Sequence, residues 1–187
     1  MKESRSVIRH TILVRVSHWL NTLAFVALIV SGVAILMAHP RLYWGEAGGA
    51  GSPAILELPL PLNLDQSGWG RSLHFLAAWV CVLNGAVYLA SGLRTPPLKN
   101  KQYGSLQFST YVAVVFVLFP LMIASGLAMS PAINAAFPWF VNAFGGHQSS
   151  RTIHFFIANL LVLFLIVHVI MVYRAGFRER MRGMVTG

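Results

Sequence analysis

The sequence predicts an all-α integral membrane protein, a four-transmembrane-helix bundle with both termini in the cytoplasm. Three observations carry this. The 187 residues are 56% hydrophobic and 10% charged, with a mean hydropathy of +0.66. A soluble domain carries about 25% charged residues, so polar surface is too scarce here for a water-facing globule, and apolar content is too high for disorder. Four apolar stretches, residues 13–38, 72–93, 106–130 and 152–173, each reach the roughly 20 helical residues that cross a hydrocarbon core. Finally, of the 14 Lys and Arg residues all but Arg41, Arg71 and Arg151 fall in the amino-terminal arm, the second connection or the carboxyl end. Cytoplasmic loops accumulate such residues, and residues 1–187 therefore form a single membrane-embedded domain with its termini inside. The net charge of +9 is an orientation signal. It does not point to nucleic acid, which would need a soluble basic face.

Each segment has its own justification. The first is too long for a signal-peptide core and lacks a small-residue cleavage site, so it reads as a retained helix. The connection at residues 40–70 is rich in Gly, Pro and aromatics, and its Trp44 and Trp69 suit the headgroup level. The second segment returns from that outer side. Pro120 should kink the third, because proline removes a helix hydrogen bond and crowds the preceding turn. In the outer connection at residues 131–150, positions 132–144 fit short amphipathic helices in the interface, either hugging the bilayer or docking an external partner. No internal repeat of the transporter kind is visible. The single cysteine, Cys81, excludes a disulfide framework, a thiolate zinc site and c-type haem attachment.

The chemistry lies in the histidines. Ionisable residues inside membrane segments are costly and point to function. His18 and His168 lie near the cytoplasmic ends of the first and fourth helices, and His74 and His154 enter the second and fourth from outside. The four sort into two pairs at matching depths. His154 and His168 are 14 residues apart, about 40° short of four full turns, with a rise of about 21 Å. One helix face thus presents an imidazole near each side of the membrane, with His18 and His74 as the partners. Alone, any one of these would read as a helix-packing residue. In matched pairs they supply the two nitrogen ligands that a low-spin haem iron requires, so the sequence predicts two bis-His b haems. His39 and His147 share the outer level as rival ligands, and His10 lies in the basic arm.

Arg15, Arg71 and Arg151 each precede a histidine by three residues, on the same helix face and on its watery side. Haem propionates are anionic and point to the aqueous edge, where arginine can pair with them. Arg15 doubles as topogenic charge, whereas Arg71 and Arg151 run against the positive-inside trend.

The five acids, Glu3, Glu46, Glu57, Asp65 and Glu179, all fall outside the four segments, which removes the usual intramembrane carboxylate of a proton- or cation-coupled carrier. No Ser-His-Asp set, phosphate loop or HExxH is present. Asn84 and Asn159 read as interhelical hydrogen-bonding residues.

With R-x-x-H-W at Arg15 to Trp19, the outer-entry His74 and the His154/His168 pair, the chain resembles bacterial dihaem b-type cytochromes. These form the cytochrome b561 group, which includes membrane subunits of nickel-iron hydrogenases and formate dehydrogenases. The resemblance implies one haem on His18 and His168 and another on His74 and His154, the pairing that depth gives independently. It also implies a quinone or quinol as substrate near the cytoplasmic haem. There a Y-N-x-x-Q-like stretch corresponds to Tyr103-Gly104-Ser105-Leu106-Gln107, from which Gln107 is carried over although Gly104 replaces the Asn. The first outer loop, His39 to Glu46, is similar to members associated with a periplasmic molybdopterin oxidoreductase more than to those of a nickel-iron hydrogenase.

The reading is therefore a multi-pass cytochrome of the bacterial inner membrane. It would be an electron-transfer subunit between the quinone pool and a periplasmic oxidoreductase, without catalysis of its own. The alternatives are a stand-alone b-type redox enzyme acting on a small species at the outer haem, and a haem-free membrane anchor or permease.

Overall fold

The computed structural model describes residues 11–49, 51–93, 109–110 and 112–186. Its elements in chain order are α1 (Ile12–Ala38), β1 (Arg41–Leu42), β2 (Leu56–Glu57), α2 (Gln66–Leu93), a π-helical stretch π1 (Ala113–Leu118), α3 (Phe119–Ala128), α4 (Pro131–Ala136), α5 (Pro138–Ala143), α6 (His147–Arg174) and α7 (Phe177–Val185). Three helices are apolar and long enough to span a membrane, Ile12–Ala38, Gly68–Ser91 within α2 and His147–Arg174, and Ala113–Ala128 is a shorter apolar helix. The predicted segment at residues 106–130 is thus described only in part, since 106–108 and 111 lie outside the described residues. The helices are bare of core in the soluble sense. Leu23, Leu76, Leu83 and Phe116 are exposed, as side chains that face lipid must be.

The chain divides into two compact units. The first comprises Met1–Ala38, Pro61–Lys99 and His168–Gly187, and is organised by a seam of small residues. On α1 the positions Ser17, Ala24, Ser31 and Ala38 recur every seven residues and all are buried. On α2 Gly70, Ala77 and Asn84 repeat with the same period, and Gly70 and Ala77 are buried. Contacts run in opposite order along the two helices, with Asn84 Nδ2 donating to the Ser17 carbonyl (2.9 Å) and Ser31 meeting His74. The pair is therefore antiparallel. A Cβ on Gly70 would fall 3.1 Å from that of Ala34, so the backbones approach as closely as small residues permit, the usual basis of helix association in lipid. Gly176, at φ +100°, separates α6 from the amphipathic α7. Trp19 Nε1 donates to the Met184 carbonyl (3.1 Å) and ties α7 to α1.

The second unit comprises His39–Leu60 and Asn100–Val167. Strands β1 and β2 pair antiparallel, with Arg41 opposite Glu57 and Leu42 opposite Leu56. Arg41 Nε meets Glu57 Oε1 at 3.0 Å, and that carboxylate holds the guanidinium pKa above its ordinary value. Short helices α4 and α5 fall in the connection at residues 131–150, where interfacial helices were expected. Each begins with proline, Pro131 and Pro138, whose missing N–H is no loss in a first turn.

Ahead of Pro120, where a kink was expected, the helix takes a π-helical form. The Phe119 N–H bonds to the Val114 carbonyl, five residues back. Pro120 donates nothing and its ring would collide with the carbonyl four residues before it, so the turn ahead of it widens to the π pattern.

Residues 43–46 strap the start of α6. The Gly45 carbonyl accepts from the amides of Gln148 (3.0 Å) and Ser149 (3.2 Å). Ser149 Oγ accepts from the Gly45 N–H (2.7 Å), and Thr152 Oγ1 donates to the Tyr43 carbonyl (2.6 Å). The His147 N–H donates to Glu46 Oε2 (3.1 Å). Donors orphaned at a helix N-terminus are met here by loop acceptors. The helix consequently begins five residues before the apolar run predicts, and Arg151 and His154 lie within its first two turns.

Candidate haem centre

His74 sits half-buried on α2. Its Nδ1 lies 2.9 Å from Ser31 Oγ on α1, and that hydroxyl is also 2.7 Å from the Ala27 carbonyl and 3.2 Å from that of Leu28. His154 sits half-buried on α6. Its Nδ1 lies 3.0 Å from Ser125 Oγ on α3, which is 3.1 Å from the Met122 carbonyl. Both serines are fully buried. The residue after each is glycine. A Cβ on Gly126 would fall 3.3 Å from His154 Cε1, and one on Gly32 would lie 3.8 Å from His74 Cε1. Each unit therefore contains the same device, an imidazole laid against a Ser-Gly step of an apolar helix.

Sequence reasoning missed these serines, and it weighed Gly32 and Gly126 for close packing against a macrocycle but set them down as ordinary helix-packing residues. The signal was present as Ser31-Gly32-Val33-Ala34 and Ser125-Gly126-Leu127-Ala128, a tetrapeptide pattern that occurs twice, each time ahead of an R-x-x-H helix.

His18 is half-buried on α1, next to the seam residue Ser17, and His168 is exposed on α6. Arg15 lines an apolar cleft of about 360 Å³ with Trp19, Leu20, Leu23 and Met184. Its Nε is buried and has no protein acceptor among the described residues. Arg71 is exposed on α2. Arg151 donates to the His39 carbonyl, which occupies one of the five N–H groups of a guanidinium and leaves the others. His39 is exposed at the exit of α1, and His147 caps the start of α6 through its backbone. Gln107, with Tyr103 and Gly104, lies outside the described residues, as does His10. Asn84 does bond between helices, whereas Asn159 bonds to the Phe155 carbonyl of its own helix (2.8 Å).

These residues fit a haem. A ligating histidine characteristically holds its second ring nitrogen to an oxygen acceptor, and Ser31 and Ser125 supply one each. The glycine at 126 leaves room for an imidazole that a methyl group would displace. The buried Arg15 Nε, which has no acceptor among the described residues, suits an anionic oxygen such as a propionate would provide. Among the described residues no three His, Cys, Asp or Glu side chains converge as a metal-ion site, and bis-imidazole ligation of a macrocyclic iron needs only two.

Apolar membrane-length helices bearing imidazoles laid on serine and glycine suit a membrane cytochrome of the b type. The chain belongs to the prokaryotic cytochrome b561 family, which it matches over residues 9–187 and whose members bind b haem. It is also similar to a putative protein-methionine-sulfoxide reductase subunit, YedZ1, of Azospira oryzae, with 27% identity over 84% of this chain and 86% of that protein. No solved structure matches.

Proposed function

We propose that the chain is a dihaem electron-transfer subunit carrying electrons across the bacterial inner membrane between the quinone pool and a periplasmic oxidoreductase. The observation that supports it most is the repeated His-Ser-Gly device, at His74 and at His154, in a chain of the b561 family. In this reading His74 and His154 hold the outer haem, and His18 and His168 hold the cytoplasmic one. Bound haem supplies reversible one-electron chemistry at iron. The chain's own residues do the rest. Ser31 and Ser125 fix the orientation of two ligands, Arg15, Arg71 and Arg151 pair with propionates, and the apolar helices exclude water. Gln107 marks the quinone end, and both termini face the cytoplasm with residues 40–70 and 131–150 outside. An oxidoreductase partner is supported by the subunit name of the relative. The character of the first outer loop favours a molybdopterin enzyme over a nickel-iron hydrogenase.

The test is a reduced-minus-oxidised spectrum with haem quantification on the purified chain. About two b haems per chain are expected, and none would refute the reading. His168→Ala should remove the cytoplasmic-side haem and leave the other. Loss of both, or of neither, would count against the pairing. Gentle purification should bring a molybdenum-containing redox protein with it.

A further inference from the structure

Only Ala175 and Gly176 separate α7 (Phe177–Val185) from the end of α6 at Arg174. The step from Arg174 to Phe177 spans about 10 Å at full extension, so α7 begins where that membrane-length helix ends. Its other end is held as well. The Met184 carbonyl accepts from Trp19 Nε1 at 3.1 Å, and Trp19 stands seven residues after the start of α1 at Ile12, about 10 Å of helix rise. A helix tied in this way to apolar helices at both ends lies along the membrane surface and does not project into water.

Its faces are unequal. At 100° per residue, Phe177, Met181, Met184 and Val185 fall within an arc of about 100°. Arg178 and Arg182 border that arc on one side and Arg180 on the other, and Glu179 stands opposite its middle. Met181 and Met184 are half-buried, whereas Phe177 and Val185 remain 48% and 54% exposed. Arg174, Arg178, Arg180 and Arg182 are all exposed, and among the described residues none of them pairs with a carboxylate. Arg178 and Arg182 are moreover neighbours at i and i+4, where like charges destabilise an isolated helix. An anion between them would reverse that sign. An apolar arc bordered by arginines is the pattern with which a helix lies in the headgroup region, and the anion available at that depth is a lipid phosphate.

We propose that α7 is an interfacial helix that binds anionic phospholipid, with Phe177 and Val185 among the upper acyl segments and the phosphate shared by Arg178 and Arg182. An acidic protein would answer the arginines equally, but lipid covers the apolar arc and its arginine borders together, and it already surrounds the helices to which α7 is tied. The site involves no haem, so it stands or falls separately from electron transfer.

The experiment titrates the full chain, purified in a neutral detergent, with phosphatidylglycerol, phosphatidylcholine or inorganic phosphate. Bound lipid is read by native mass spectrometry, and the site by amide exchange at residues 177–185. Phosphatidylglycerol should bind more tightly than phosphatidylcholine and slow exchange at residues 177–185, with the affinity falling as salt rises. An arginine near an anionic surface contributes about fivefold in affinity. R180Q should therefore lose about fivefold and R178Q/R182Q about twenty-five-fold, while R178K/R182K loses less than the glutamine pair. R41Q, in β1, should match wild type. Equal binding of the two lipids, an unchanged affinity in R178Q/R182Q, or slowing only outside residues 177–185 would overturn the proposal. Equal slowing by inorganic phosphate would show an anion site without lipid and overturn it too, as would slowing by soluble polyglutamate but not by phosphatidylglycerol. If R178Q/R182Q does not fold, the wild-type chain decides, and binding indifferent to salt overturns the proposal.

Discussion

Gly146→Ala is the sharpest test of how the start of α6 is held. Gly146 has φ +107°, and a Cβ there would fall 2.6 Å from the Gly45 carbonyl carbon, the Gly45 oxygen and the Glu46 nitrogen. These are backbone atoms, so no rotamer change relieves the collision, and the strap itself must move. The left-handed backbone costs alanine about 1–3 kcal/mol. Moving Gly45 also strips the acceptor from the Gln148 and Ser149 amides, at about 0.5–1.5 kcal/mol for each bond. The local loss is about 2–6 kcal/mol. With 1.4 kcal/mol per factor of ten, amide hydrogen exchange at Gln148 and Ser149 should accelerate by about thirtyfold to twenty-thousandfold. Gly145→Ala is the control. Its φ is +78° and the nearest atom to a new Cβ is Ser149 Oγ at 3.4 Å, so only the backbone cost of about 1–2 kcal/mol applies. Exchange in Gly146→Ala no faster than in Gly145→Ala would refute the strap.

Three further outcomes follow from the first unit. Asn84→Leu removes the bond to the Ser17 carbonyl and should lower unfolding stability in detergent by about 0.6–1.7 kcal/mol; a loss beyond 3 kcal/mol would show another role. Ala24→Leu puts a large side chain into the small-residue seam and should cost about 1–3 kcal/mol, whereas Leu23→Ala on the exposed face should change little, both read by the same unfolding assay. Trp19→Phe deletes the donor to Met184 and should make α7 more open to proteolysis and exchange at residues 177–185, with no effect at residues 66–93.

Apolar runs were the legible part of this chain. The transfer of about 20 residues into lipid is a property of composition, and residues 13–38 reappear as Ile12–Ala38. The helix starts were less legible, because Gln66 to Arg71 and His147 to Arg151 are polar and are helical through local geometry and loop acceptors rather than hydropathy. Strands of two residues in a Gly- and Pro-rich connection leave no periodicity to read. At the site, imidazoles announced themselves by their expense in lipid. Ser31 and Ser125 did not, since small hydroxyls pack membrane helices everywhere and only their tertiary neighbours distinguish these two. Pro120 announced a distortion, but the choice of a π turn depends on how the ladder re-forms upstream.

The recurrence of the serine-glycine step bears on the order of synthesis. Ser31 and His74 are both made before Ser125 and His154, and the two histidines are separated by 80 positions. At about 5–20 residues per second, that interval is about 4–16 s. Throughout it the nascent chain already carries both partners of the Ser31–His74 contact, because they lie on α1 and α2. The later half is equally self-sufficient, so neither imidazole depends on the other for its preparation.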